Sequence, residues 1–211
     1  MKLEFLGYPR ADGTAGTRNR LLVLSVLGLT GAAAARIARQ VPGALLIAQP
    51  HGRGQFGEDR TMMRRMLAGL GRNANAGAVL LVGADRVRLD AVAESIAPSG
   101  KPVETIALDD VHEDSLALSD RGVRLAAMLA RDISRARRVA LPASMLRLGT
   151  ECGHSDATSG LAANPLAGMV ADRLVDAGGA VVFGETMEWL GAEHVLAARA
   201  ATPAIGEAIV A

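Results

Sequence analysis

The chain has 211 residues, 23 basic against 22 acidic, with half hydrophobic and only 2% aromatic. Balanced charge with no basic run, and too few aromatics to stack bases, exclude nucleic acid as a partner. A single cysteine excludes an internal disulfide and suits a reducing compartment. No apolar run approaches the ~20 residues that cross a bilayer, and the opening apolar residues are interrupted by Glu4 and followed by Pro9 and Arg10, unlike a secretory leader. The sequence therefore reads as a cytoplasmic protein with no membrane partner. Its core must be built from Ala, Val, Leu, Ile and Met.

Residues 7–20 are turn-rich, with Gly7, Pro9, Asp12-Gly13 and Gly16, and carry Arg10, Asp12, Arg18 and Asn19. The run 21–27 has the continuous apolar character of a strand buried on both faces. Gly28-Leu29-Thr30-Gly31 turns into an Ala-rich helix over 32–40, with Thr30 as its expected N-cap. A strand follows over 44–49, and Pro50-His51-Gly52-Arg53-Gly54 leaves its end. The spacing of Met62, Met63, Met66, Leu67 and Leu70 predicts a helix over 59–70, a pattern that belongs to cores. A strand at 78–82, a helix at 87–96, a strand at 103–108 and a long helix at 115–135 come next. Acid before the last of these and arginine after it complement the helix dipole. Residues 139–141 open a fifth strand. A helix over 166–177 stops at Gly178-Gly179, a sixth strand runs over 180–183, and a final helix begins near Gly191.

Six apolar runs alternating with helical patterns predict a single α/β domain over 1–211. Its sheet is mostly parallel and Rossmann-like, with helices on both faces and residues 1–20 packed across one sheet edge. In a parallel sheet the C-terminal strand ends share an edge, and the polar clusters of this chain fall after strands. His51, Cys152, Asp156 and Glu185 are thus expected to open onto one crevice there.

The richest cluster runs from Leu148 to Pro165 and holds Glu151, Cys152, His154, Ser155, Asp156, Thr158, Ser159 and Asn164, with Pro165 suited to open a helix. Thiolate, imidazole and carboxylate are all metal ligands. A nucleophilic Cys with a His base is a second reading of the same residues, and a capped loop with a buried Cys is a third. Glu185, Glu188, Glu193 and His194 follow the last strand and suit general acid–base work, or equally an acidic helix start. Arg10, Arg18 and Arg53 offer forked donors to a carboxylate. There is no Gly-x-Gly-x-x-Gly after the first strand and no phosphate-binding Gly-Lys loop, so no nucleotide is expected.

Three ordered blocks together resemble a known family. They are Gly7-Tyr8-Pro9-Arg10-Ala11-Asp12-Gly13 with Gly16-Thr17-Arg18-Asn19, then Cys152-Gly-His-Ser-Asp-Ala-Thr-Ser-Gly-Leu-Ala-Ala-Asn-Pro165, then Gly184-Glu185-Thr186 with Gly191-Ala192-Glu193-His194. The family is the altronate dehydratase/galactarate dehydratase (UxaA-type) group, with sulfolactate sulfo-lyase as a relative. The resemblance implies a hydro-lyase that dehydrates a sugar acid with help from a divalent metal, iron first and manganese or zinc next. For such a reaction His51, Glu185 and His194 are the candidate catalytic groups among these clusters, and Cys152 and Glu151 the candidate metal ligands. Arg10, Asp12, Arg18, Asn19, Ser155, Asp156, Ser159 and Asn164 would bind substrate, in a homo-oligomer or with a partner subunit. Gly28-Leu29-Thr30 and Gly83-Ala84-Asp85 stand where the family carries two further cysteines, and family chains continue past Ala211. A non-catalytic homologue, or a subunit completed by another chain, is therefore the alternative expectation.

Overall fold

Side chains alternate between the two faces of a strand, so a strand apolar at every position has to be covered on both sides. That condition organises the first part of the molecule. The computed structural model describes residues 3–211, Thr186 by its backbone alone. Where the sequence suggests one domain over 1–211, the chain divides into two compact units, Glu4–Pro142 and Ala143–Ala211 joined by Leu3. Of the expected 1–20 segment, residues 1 and 2 lie outside the described residues.

In the first unit, β1 (Glu4–Pro9) pairs antiparallel with β2 (Ala15–Gly16). The chain then runs through β3 (Arg20–Ser25), α1 (Gly31–Gln40), β4 (Ala44–Ala48), α2 (Gly57–Arg72), β5 (Ala76–Gly83), α3 (Arg86–Ile96), β6 (Val103–Ala107) and α4 (Ser115–Ile133). β7 (Val139–Pro142) returns to pair antiparallel with β1. The central sheet has the order β4-β3-β5-β6, every pairing parallel. Leu21, Val23, Leu80 and Val82 face Ile37 of α1 and Leu118, Ala126 and Leu129 of α4. Their neighbours Leu22, Leu24, Val79 and Leu81 face Leu67 of α2 and Leu89, Val92 and Ile96 of α3. Helices on both faces and a parallel sheet are as the sequence suggests. At Gly122 the packing of α4 on α1 leaves no space for a side chain, since a Cβ there would run into Ile37.

The 139–142 run differs from expectation. It does not extend the parallel sheet but joins β1 and β2 in an antiparallel one. Thr30 also departs from its expected role. Its side chain caps no helix and is buried, with Oγ1 bonded to the carbonyls of Leu27 at 3.0 Å and Val82 at 3.2 Å. Asp85 and Asp114 are the caps, accepting from the backbone N–H of Arg88 and of Leu116 and Ala117.

In the second unit β8 (Arg147–Thr150) pairs parallel with β9 (Ala180–Phe183). The crossover passes through the polar loop, a π-helical turn at Ser159–Ala163 and α5 (Asn164–Asp176). So the sixth apolar run builds a separate two-stranded sheet. Gly178 ends α5 at φ 84°, and the Gly179 N–H reaches the Leu174 carbonyl at 2.9 Å, closing a Schellman turn. In place of one final helix there are two short ones, α6 (Glu193–Ala197) and α7 (Pro203–Val210). Among the described residues Leu174 and Ala143 are the buried hydrophobic ones of this unit, while Leu161, Leu166, Met169, Val182, Phe183 and Leu190 are exposed. Among the described residues no helix is long and apolar enough to cross a membrane.

Candidate functional site

The opening motif sits at the N-terminal ends of the parallel strands. Arg10 donates from Nε to the Ala74 carbonyl at 2.7 Å, from Nη1 to Asn19 Oδ1 at 2.9 Å and from Nη2 to the Arg18 carbonyl at 3.0 Å. Asn19 passes the link on, donating from Nδ2 to the Ile133 carbonyl at 2.8 Å. Arg18 donates its backbone N–H to Asn75 Oδ1. Arg10 and Asn19 thus latch this segment to the starts of β3 and β5 and the end of α4. Burial lowers the Arg10 pKa, and burial pushes the nearby Lys101 amine down to about 8, with Arg10 adding to the effect. The Asp12 carboxylate accepts from the Thr14 hydroxyl at 2.6 Å and the Thr14 N–H at 3.0 Å, and these bonds lower its pKa.

His51 follows β4 at the opposite, C-terminal strand edge. Its side chain is exposed, and its backbone is fixed by Gln49 and by the Gly28 N–H, which reaches the His51 carbonyl at 2.9 Å. Of the residues expected to share one crevice, His51 belongs to the Glu4–Pro142 unit, and Cys152, Asp156 and Glu185 to the Ala143–Ala211 unit.

In the second unit, parallel pairing of β8 and β9 sends the loops after them from the same end of the sheet. There the Cys152 backbone N–H donates to Glu185 Oε2 at 3.0 Å. Cys152 Sγ lies 3.4 Å from Ser155 Oγ. Cys152 is half-buried, whereas Glu151, His154, Ser155 and Glu185 are exposed. Glu185 takes φ 59°, a left-handed conformation unusual for a residue with a side chain; such strain gathers at functional sites and costs on the order of 1–3 kcal/mol. His194, on α6, is exposed, as is Asn164 at the start of α5.

Asp156 is turned inward on its own loop. Oδ1 accepts from Thr158 Oγ1 at 2.6 Å, from the Thr158 N–H at 2.7 Å and from the Ser159 N–H at 3.2 Å. Ser159 Oγ accepts from the Asp156 N–H and donates to the His154 carbonyl. The Thr158 hydroxyl, then the two backbone N–H groups, hold the Asp156 carboxyl below the usual carboxylate range. A lowered folded-state pKa stabilises above the unfolded value, and the contribution fades as pH falls through the folded one. The 154–159 loop is therefore expected to keep its order down to about pH 4, the ordinary Asp value, and to loosen below it. Amide exchange of Thr158 and Ser159 across that range reads this out; no change down to full protonation would remove Asp156 as the clasp.

Among the described residues no three His, Cys, Asp or Glu side chains gather where an ion could sit. Glu151 and Cys152 offer two adjacent donors, short of the three or four protein ligands a zinc site takes. This donor set alone does not fit a bound iron or zinc.

The fold and the loops define an α/β protein with its acid, thiol and imidazole groups after strand ends. The chain belongs to the D-galactarate dehydratase/altronate hydrolase family. Residues 7–134 match the second domain of D-galactarate dehydratase/altronate hydrolase, and residues 143–211 match the C-terminal region of D-galactarate/altronate dehydratase. The break between the two matches falls at the boundary between the two units. The chain is 38% identical over 204 residues to the (2R)-sulfolactate sulfo-lyase subunit beta of Chromohalobacter salexigens, covering 96% of this chain and 52% of that protein. It is 30% identical over 220 residues to the altronate dehydratase of Bacillus subtilis, covering 98% of this chain and 43% of the relative. Against the galactarate dehydratase (L-threo-forming) of Escherichia coli it is 32% identical over 145 residues, 69% of this chain and 26% of the relative. The chain thus spans about half the length of these relatives or less.

Proposed function

We propose that the chain carries the acid–base residues of a lyase that dehydrates a sugar acid of the altronate or galactarate type. The observation that carries this reading is the Cys152 N–H to Glu185 Oε2 bond, which joins two motif loops across the parallel β8/β9 pair. A 2,3-dihydroxy carboxylate loses its C2 proton to a base, the C3–O bond breaks, and the hydroxyl leaves as water once protonated. The enol that remains becomes a 2-keto acid. Glu185 is the base in this reading, since one oxygen is fixed by the backbone and the other is available to a proton. Cys152 and Ser155 stand beside it as donors to the departing oxygen, with His194 of the same unit as a further proton carrier. The same elimination serves a 2-hydroxy acid whose C3 group is a sulfonate, the substrate type in the name of one relative.

Metal assistance belongs to the proposal as a separate claim. Iron would draw on Cys152 and Glu151 and on donors outside that pair, and the iron content of purified protein with and without Cys152→Ala tests it. The activity test offers altronate, galactarate and (2R)-sulfolactate and follows 2-keto acid formation. Turnover of one of them is expected, falling by about 10²–10⁴ in Glu185→Gln as general-base loss does. No turnover with any of the three would favour the non-catalytic homologue.

A further inference from the structure

The order β4-β3-β5-β6 contains a switch point. β3 connects outward to β4 on one side, and β5 enters on the other, so the loops after β3 and β5 part above the sheet edge. Open parallel sheets bind ligands in that crevice. Here the crevice continues between α2 and α3 as a cleft of about 500 Å³, within the range of about 300–1,000 Å³ typical of small-molecule sites.

Its floor is apolar, from Val26, Met63, Leu67 and Val92, and its lining includes four arginines, Arg53, Arg60, Arg64 and Arg88. This concentration is anomalous in a chain of net charge +1. Among the described residues one carboxylate, Asp85, pairs with two of these arginines. Asp85 Oδ2 lies 3.9 Å from Arg53 Nη2 and 3.8 Å from Arg88 Nε, and Oδ1 is committed to the Arg88 backbone N–H. Arg60 and Arg64 have no ion-pair partner among the described residues. They stand one turn apart on α2, where like charges repel. An unfavourable pair that lines a cleft already short of negative charge is relieved by an anion bound between the two guanidinium forks.

We infer that this cleft is a binding site for a small organic anion with two acidic groups on a short carbon body, seated by Arg60 and Arg64. Three net positive charges across Arg53, Arg60, Arg64, Arg88 and Asp85 call for more than one negative charge on the ligand. The apolar floor favours a carbon body over a bare inorganic ion. The site lies wholly within Glu4–Pro142 and does not depend on the lyase reading.

Calorimetric titration tests it with succinate, 2-phosphoglycolate and, as the monoanion, acetate. Binding of at least one dianion about tenfold tighter than acetate is expected, as two charge-assisted contacts replace one. Succinate and 2-phosphoglycolate separate a dicarboxylate from a phosphorylated acid. The double variant Arg60→Gln/Arg64→Gln should weaken that dianion about tenfold or more while melting at the parent temperature, because both side chains are exposed. Arg121→Gln, on α4 and outside the cleft, should leave affinity unchanged. Equal affinity in the double variant, an equal loss in Arg121→Gln, or no preference for either dianion over acetate would overturn the site.

Discussion

Leu80→Ala is expected to destabilise the Glu4–Pro142 unit by about 2–5 kcal/mol, the range for a buried leucine truncated in a core that relaxes only partly. Leu80 is fully buried in β5, which is flanked by β3 and β6, and it packs in the cluster formed with α1 and α4. Domains hold only about 5–15 kcal/mol in total, so the loss is a large share. Leu46 in β4 supplies the control. It lies on an edge strand and is 37% exposed, so Leu46→Ala should cost less, about 1–2 kcal/mol, because more than a third of its area stays in water. Urea unfolding of both variants, followed by far-ultraviolet circular dichroism, gives the comparison. Equal midpoints would mean that β5 is not an inner strand of the sheet.

The central sheet was readable because β3 and β5 are apolar at consecutive positions, and only a parallel strand covered by helices on both sides buries every one of them. The helices around it follow from periodicity and from caps such as Asp114. The 139–142 run was not placed by its pattern. A short apolar strand states that it will pair, but not with which edge, and its partner β1 lies over a hundred residues earlier. The same holds for β9, whose partner β8 is four residues long, contains Arg147 and Gly149, and has too few apolar positions to announce which strand it pairs with. At the candidate site, the link between the Cys152 and Glu185 loops agrees with their shared place after strands. Arg10, Asp12 and Asn19 show the opposite. Their side chains are used on backbone and on each other, at the N-terminal strand ends, and a charged residue in a turn gives no sign in sequence of whether its hydrogen bonds go inward or to a ligand. The arginine-lined cleft was equally hidden. Of its arginines the sequence marks out Arg53 alone, by its place after a strand, since the convergence of Arg60, Arg64 and Arg88 depends on how α2 lies beside α3.

Cys152→Ala is expected to abolish lyase turnover while leaving the fold almost intact. The stability half of this follows from what the side chain touches. Cys152 is half-buried in a polar loop, and among the described residues its side chain makes one hydrogen-bond contact, with Ser155 Oγ at 3.4 Å. Alanine keeps the backbone N–H that bonds Glu185, so the link between the two loops survives and Glu185 retains its position. Removing one sulfur from such a site falls in the class of surface changes, within about 0.5 kcal/mol. The activity half follows from chemistry. The thiol is the sole cysteine of the chain, and neither Ser155 nor Glu151 reproduces a soft, ionisable sulfur. A drop of about 10²-fold or more in kcat is therefore expected, the scale on which a positioned proton donor acts. Cys152→Ser separates sulfur chemistry from simple hydrogen bonding, because the hydroxyl is close in size and can still pair with Ser155. If serine restores turnover, the thiol acts as a hydrogen-bond donor; if it is as inactive as alanine, sulfur itself is required. A purely structural cysteine gives the reverse signature, a lowered melting temperature in Cys152→Ala with turnover unchanged, and that result would take Cys152 out of the mechanism.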